Sequence, residues 1–113
     1  MEILQQEQLP KGKFYIELEG KQVAQMTYVW AGDDRVIIDH TEVDDVLRGK
    51  SAGKQLVAKA VEFARARGIK IVPLCPFAKS VFDKVPEYRD VLWKLTAAGL
   101  IWFKIVTFHS FAD

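Results

Sequence analysis

Residues 36–74 read VIIDHTEVDDVLRGKSAGKQLVAKAVEFARARGIKIVPL, and the change of period inside this stretch decides the fold. It opens with Val36 to Val43 (VIIDHTEV), rich in β-formers, which spells a strand. From Ala52 to Arg67 the apolar positions Leu56, Val57, Ala60, Val61 and Ala64 recur at helical spacing, while Lys54, Lys59, Glu62, Arg65 and Arg67 take the other faces. Gly68 stands where a glycine closes a helix. Ile69 to Leu74 (IKIVPL) is then a short buried strand, and the helical crossover makes it parallel to the strand before. Together these segments predict one β-α-β unit.

Upstream, Lys13 to Glu19 alternates Phe14, Ile16 and Leu18 against Tyr15, Glu17 and Glu19, a half-buried strand. Gly20-Lys21 reads as a two-residue hairpin turn, Val23 to Trp30 as a second strand, and Gly32-Asp33-Asp34 as the next turn. Three strands on short polar turns make an antiparallel meander. Downstream, Phe77 to Lys84 reads as a second helix with Pro76 in its first turn and Pro86 closing it. In the final stretch, Val91 to Ala98 suits a helix, and Leu100 to Phe108 a strand or a helix. The fold class expected is therefore α+β, a mixed and mostly antiparallel sheet of about five strands with two or three helices.

The 113 residues fit one domain, with half of them hydrophobic and 27% charged, which suits an ordinary packed core. A net charge of +1, from 16 basic and 15 acidic side chains, argues against a nucleic-acid binder, so any anion site must be local. The single cysteine, Cys75, cannot close an internal disulfide, and residues 1–10 lack the pattern of a signal peptide. No run approaches the ~20 apolar residues a bilayer span needs. These features lead to the expectation of a cytoplasmic protein without membrane partners. The apolar tail, residues 93–113, is expected to cover the sheet edge or to mediate a homodimer.

Between the third strand and the long helix lies Leu47-Arg48-Gly49-Lys50-Ser51-Ala52-Gly53-Lys54. Small residues let a ligand approach the backbone, and the first N–H groups of a helix lack intrahelical partners and carry the positive end of its dipole. Such a turn suits phosphate, with Arg48, Lys50 and Lys54 adding charge. The pattern lacks the Gly-Lys-Ser/Thr ending of a P-loop and the trailing acidic residue of a dinucleotide fingerprint. Read without further context, the same turn also serves as a plain basic helix start.

Arg48-Gly49-Lys50-Ser51-Ala52-Gly53 resembles the Arg/Gln-x-x-Gly-x-Gly/Ala motif of the GCN5-related N-acetyltransferases. The runs His40-Thr41-Glu42-Val43, Leu47 to Lys50, Val72 to Phe77 and Pro86-Glu87-Tyr88 resemble a small YjdJ-type acetyltransferase-like branch of that superfamily. The likeness covers about residues 12–92, and Ser51 departs from it where the motif has its first glycine. The resemblance implies acetyl-CoA as cofactor, its pyrophosphate on the amides of Arg48, Gly49, Lys50, Ser51, Ala52, Gly53 and Lys54. The pantetheine would lie as an added strand between two splayed strands, Asp39 to Val43 and Ile69 to Leu74, with Val43 among the cofactor-binding residues. It implies transfer of acetyl to an amine, on a small molecule or a protein lysine; a non-catalytic acyl-CoA-binding module is the alternative.

Acetyl transfer needs a nucleophile, support for the thioester oxygen and a route for the proton. Cys75, past the parallel strand, is a candidate to accept the acetyl group or to protonate the leaving CoA thiolate, against the plainer role of a core residue. Glu42 and His40 share a face of the third strand by period two, and either offers a general base, directly or through water. Their plain alternatives are an edge carboxylate and a strand histidine. His40, His109 and Cys75 lack zinc-ligand spacing, so no metal is expected. Trp30, Trp93 and Trp102 read as core aromatics.

Overall fold

A computed structural model of the chain describes residues 1–93. Its elements are β1 (Leu4–Gln8), β2 (Lys11–Leu18), β3 (Lys21–Trp30), β4 (Arg35–Val43), α1 (Ala52–Arg67), β5 (Lys70–Pro73) and α2 (Pro76–Lys84). They form a five-stranded sheet in the order β1-β2-β3-β4-β5. The first four strands pair antiparallel and β5 pairs parallel to β4, so the meander and the β-α-β unit are both present.

The helical stripe buries as its spacing requires. Leu56, Val57, Ala60, Val61 and Ala64 pack on one face of the sheet against Phe14, Ile16, Met26, Tyr28, Val36 and Ile38, and α2 adds Ala78, Val81 and Phe82 to the same cluster. Gly68 caps α1 in the left-handed conformation, its N–H reaching Ala64 O and Arg65 O. Arg65 then clamps the following segment with two hydrogen bonds of 2.9 Å to Asp90 and one of 2.8 Å to Glu87 O.

Three details differ from the sequence reading. The turn joining β2 to β3 is Glu19-Gly20 rather than Gly20-Lys21, with both residues at positive φ (53° and 78°), as a primed two-residue turn demands. The fifth strand is β1, whose residues LQQEQ show no alternation because all but Leu4 are exposed. Val91 does not start a helix: Leu92 forms a parallel bridge to Ile71, and Trp93 N–H donates to Ile71 O at 2.9 Å. The rest of that segment, the segment 100–108, His109, Trp102 and the tail contact lie outside the described residues. No helix among the described residues is long and apolar enough to cross a membrane.

Polar β1 is held by side chains. Glu7 Oε2 accepts from Tyr28 Oη at 2.7 Å and from Trp30 Nε1 at 2.9 Å, while Gln5 Nε2 donates to Tyr28 Oη at 2.8 Å. The Trp30 hydrogen bond, then the Tyr28 one, holds the Glu7 carboxyl below its ordinary 4.5. A lowered folded value stabilises the fold above the unfolded value, and the gain is lost as pH falls through the folded one. Glu7→Gln mimics the protonated acid. We expect it to cost about 1 kcal/mol in urea melts at pH 7, the gap to wild type closing as pH drops below 4.5. A gap that persists at strongly acidic pH would show the charge to be irrelevant there.

Candidate functional site

β4 and β5 pair only as far as Ile38 and Pro73. Ile38 O then accepts from both Leu74 N (3.1 Å) and Cys75 N (3.0 Å), which ends the ladder and turns the chain into α2. Asp39 to Val43 run on without a β5 partner, and the cleft between them and the start of α1 opens as a groove of about 400 Å³. Its walls are Thr41, Val43, Leu47, Arg48, Gly49, Ser51, Ala52, Gly53, Lys54 and Phe77. One end is thus basic and glycine-rich, the other apolar.

The basic end is built by two turns in succession. A short 3-10 turn, Asp45–Leu47, is capped by the Asp44 carboxylate accepting from Val46 N at 3.0 Å. Arg48 N–H bonds Asp45 O, Lys50 N–H bonds Leu47 O, and the first bond onto the α1 cap is Gln55 N–H to Ser51 O at 3.0 Å. The amides of Ala52, Gly53 and Lys54 therefore lie outside the helix ladder, at its positive end. Gln55 Nε2 fastens Lys50 O at 3.0 Å, which steadies the turn from behind. Arg48 is exposed and pairs with Asp45 at 3.0 Å.

Ser51, the departure from the sequence motif, caps α1 in the left-handed region (φ 56°, ψ 34°) without a side-chain capping bond. A glycine would enter that conformation without a Cβ penalty, which is the physical content of the motif residue that serine replaces.

A bulge sets what faces the other end. Thr27 pairs with His40 but Tyr28 with Ile38, so Asp39 is an extra residue in β4, tied by Thr27 Oγ1 donating to Asp39 Oδ1 at 2.7 Å. Strict alternation would carry the buried face of Val36 and Ile38 on to His40 and Glu42. The bulge shifts it to Thr41 and Val43. Thr41 Oγ1 accepts a hydrogen bond from Cys75 Sγ at 3.3 Å, so the thiol, 6% exposed and the N-cap of α2, adjoins a residue of the groove wall. Sequence reading singled out Cys75 but not Thr41, because nothing in VIIDHTEV marks the bulge.

His40 and Glu42 do share a face, but it is the opposite one from Thr41 and Cys75. His40 Nε2 and Glu42 Oε1 share a hydrogen bond of 2.8 Å, and both side chains are exposed. The bond to His40, then that from Gln25, keeps the Glu42 carboxyl below its ordinary range. Glu42, Gln22, Gln25 and Asp44 line a second, polar cavity of about 250 Å³ that shares Val43 with the groove. No His, Asp or Glu lines the groove itself. Among the described residues, no group of three His, Cys, Asp or Glu side chains gathers as metal ligands would.

A family model described as GCN5-related N-acetyl-transferase matches residues 13–91. The solution structure of a GCN5-like protein from Staphylococcus aureus is 38% identical, with a TM-score of 0.64 over 84% of this chain and 90% of that one. A ribosomal-protein-alanine N-acetyltransferase from Brucella melitensis biovar Abortus 2308 superposes at TM-score 0.55 with 18% identity over 67% of this chain. An acetyl-CoA complex of a predicted acetyltransferase from Clostridium acetobutylicum superposes at 0.54 with 16% identity over 66% of it. The chain spans only 61% and 56% of those two, and their low identity shows the fold alone. No curated protein matches the sequence.

Replacing Ser51 by glycine should relieve the left-handed strain, and we expect the variant to be more stable by up to about 1 kcal/mol. Chemical denaturation of both forms checks it; a less stable glycine variant would mean that the serine hydroxyl supports the turn.

Proposed function

The chain belongs to the GCN5-related N-acetyl-transferase family, and from that premise we propose that it moves the acetyl group of acetyl-CoA to an amine through Cys75. The observation that carries this reading is a single groove running from the free helix-start amides to the wall residue that holds the Cys75 thiol.

Each part has a chemical task. The amides of Ala52, Gly53 and Lys54 receive the pyrophosphate, since those of Arg48 and Lys50, expected from the sequence to share it, are engaged by Asp45 O and Leu47 O; Arg48, Lys50 and Lys54 supply screened positive charge around it. The stretch Asp39 to Val43, unpaired on its β5 side, offers backbone to the pantetheine amides, and exposed Val43 and Phe77 flank its carbon chain. Acetyl-CoA bound this way carries its thioester toward Thr41 and Cys75.

Direct attack by an ammonium acceptor needs a base beside the thioester, and the groove lining holds no carboxylate or imidazole. Transfer first to the Cys75 sulfur needs no base in that half of the reaction, because one thiol replaces another. The acceptor, on a small molecule or a lysine, gives up its ammonium proton through water to the exposed Glu42–His40 pair, then enters the groove and attacks acetyl-Cys75; the C–Sγ bond breaks and the amine's remaining proton goes to the Cys75 sulfur. A second reading, a non-catalytic acyl-CoA-binding module, draws on the burial of Cys75 and on the same lack of a base in the groove.

Two measurements test the proposal. Coenzyme A should raise the melting temperature of the wild type, by about 2.7 kcal/mol of added stability at a hundredfold excess over Kd. Gly53→Asp should remove that shift, since it sets a negative charge against the phosphates at a position whose Cβ would lie 2.6 Å from Phe77 Cζ. A folded Gly53→Asp protein that binds CoA as the wild type does would refute the placement. Incubation with acetyl-CoA should add about 42 Da to the wild type and nothing to Cys75→Ala. A CoA-binding wild type that gains no mass refutes the covalent route through Cys75.

A further inference from the structure

We propose that Thr41 is a catalytic hydroxyl that relays the proton between the two sulfurs in the first half of the reaction. The inference rests on reading the groove as the acetyl-CoA site and Cys75 as the acetyl acceptor. Thr41 is placed by the Asp39 bulge, which turns its side chain from the outer face of β4 to the groove side. There its Oγ1 accepts the Cys75 S–H at 3.3 Å, while Thr41 also forms part of the groove wall. A hydroxyl has one hydrogen to give and two lone pairs to receive with. With one lone pair engaged by the thiol, its own hydrogen is available to a group in the groove.

The step balances without any further base. Cys75 Sγ attacks the acetyl carbonyl, and a new C–Sγ bond forms. The thiol proton passes to Thr41 Oγ1, the Thr41 hydroxyl proton passes to the departing sulfur, and the bond from the carbonyl carbon to the CoA sulfur breaks. Acetyl-Cys75 and free CoA thiol result, with Thr41 a hydroxyl as before. Neither exposed side chain of the outer face, His40 or Glu42, takes part, in keeping with their place across the strand. A proton leaving the Cys75 sulfur has Thr41 as its hydrogen-bond partner, and that partner belongs to the groove wall.

The test follows the rate of acetyl-Cys75 formation by intact mass, with acetyl-CoA as the only reagent, in wild type, Thr41→Ser and Thr41→Val. Valine keeps the shape and removes the hydroxyl; Thr41→Ala serves as a second hydroxyl-free variant should valine disturb the strand. The relay requires the hydroxyl-free variants to react about a hundredfold more slowly, with Thr41→Ser recovering most of the rate. The half-saturating acetyl-CoA concentration and the CoA-induced thermal shift should stay unchanged. A hydroxyl-free variant that reacts at the wild-type rate overturns the relay while leaving the covalent reading intact. A serine variant as slow as valine also overturns it, since shape and not the hydroxyl would then matter. A wild type that binds CoA yet never gains the acetyl mass refutes the covalent reading and the relay with it.

Discussion

Much of the molecule's functional geometry depends on one carbonyl. Ile38 O accepts from two successive amides, Leu74 N and Cys75 N, at the point where β4 and β5 part. Had the ladder continued, Asp39 to Val43 would be paired on that side and no groove would open. Because the ladder stops, the chain after β5 turns at once into α2, and Cys75 becomes its N-cap, hydrogen-bonded to the groove-wall residue Thr41. The core beneath makes this break tolerable: Ile38 and Ile71 are buried to 1% and 0% exposure, so the parallel pair is anchored by packing up to the residue at which it ends.

The β-α-β unit was legible because its signals are periodic and buried. The α1 limits follow from an apolar stripe and a terminal glycine, and both act locally. The antiparallel meander is similarly written in alternation. What escaped reading has no local pattern. β1 is polar along its length and owes its place to Glu7 meeting Tyr28 and Trp30, partners more than twenty positions away. The hairpin turn shifted by one residue because Glu19 accepts a left-handed conformation that sequence habit assigns to glycine. The bulge at Asp39 is a matter of registry between two strands, and strand registry is invisible when one strand is read alone.

That bulge matters most for the site. Period two placed His40 and Glu42 on one face, and they are on one face; it could not say which face meets the thiol. One inserted residue exchanges the inward set, so that a hydroxyl rather than an imidazole and a carboxylate stands against Cys75. The His40–Glu42 pair is left on the solvent side, where each group has the other as partner. The neighbouring interior thus holds only neutral groups, which suits exchange between two thiols better than proton abstraction from a cation. The groove wall and the His40–Glu42 pair are divided by the thickness of a single strand.

The turn from Leu47 to Lys54 shows why a motif residue can change and the local backbone persist. Its donors are main-chain amides, so side-chain identity enters only through conformation and space. The two glycines meet different demands. Gly49 has φ of 79° and open space within 4 Å of where a Cβ would stand, so its need is conformational. Gly53 is an ordinary helical residue, but a Cβ there would press into the Phe77 ring at 2.6 Å. Serine at position 51 carries a conformational cost of the first kind and no steric one of the second, a penalty of about 1 kcal/mol that a folded domain absorbs. A bulky residue at 53 is accommodated only by moving the Phe77 ring at the groove wall. The demand at 51 is thus set by backbone conformation and the demand at 53 by a neighbouring ring, and neither depends on what the side chain itself could bind.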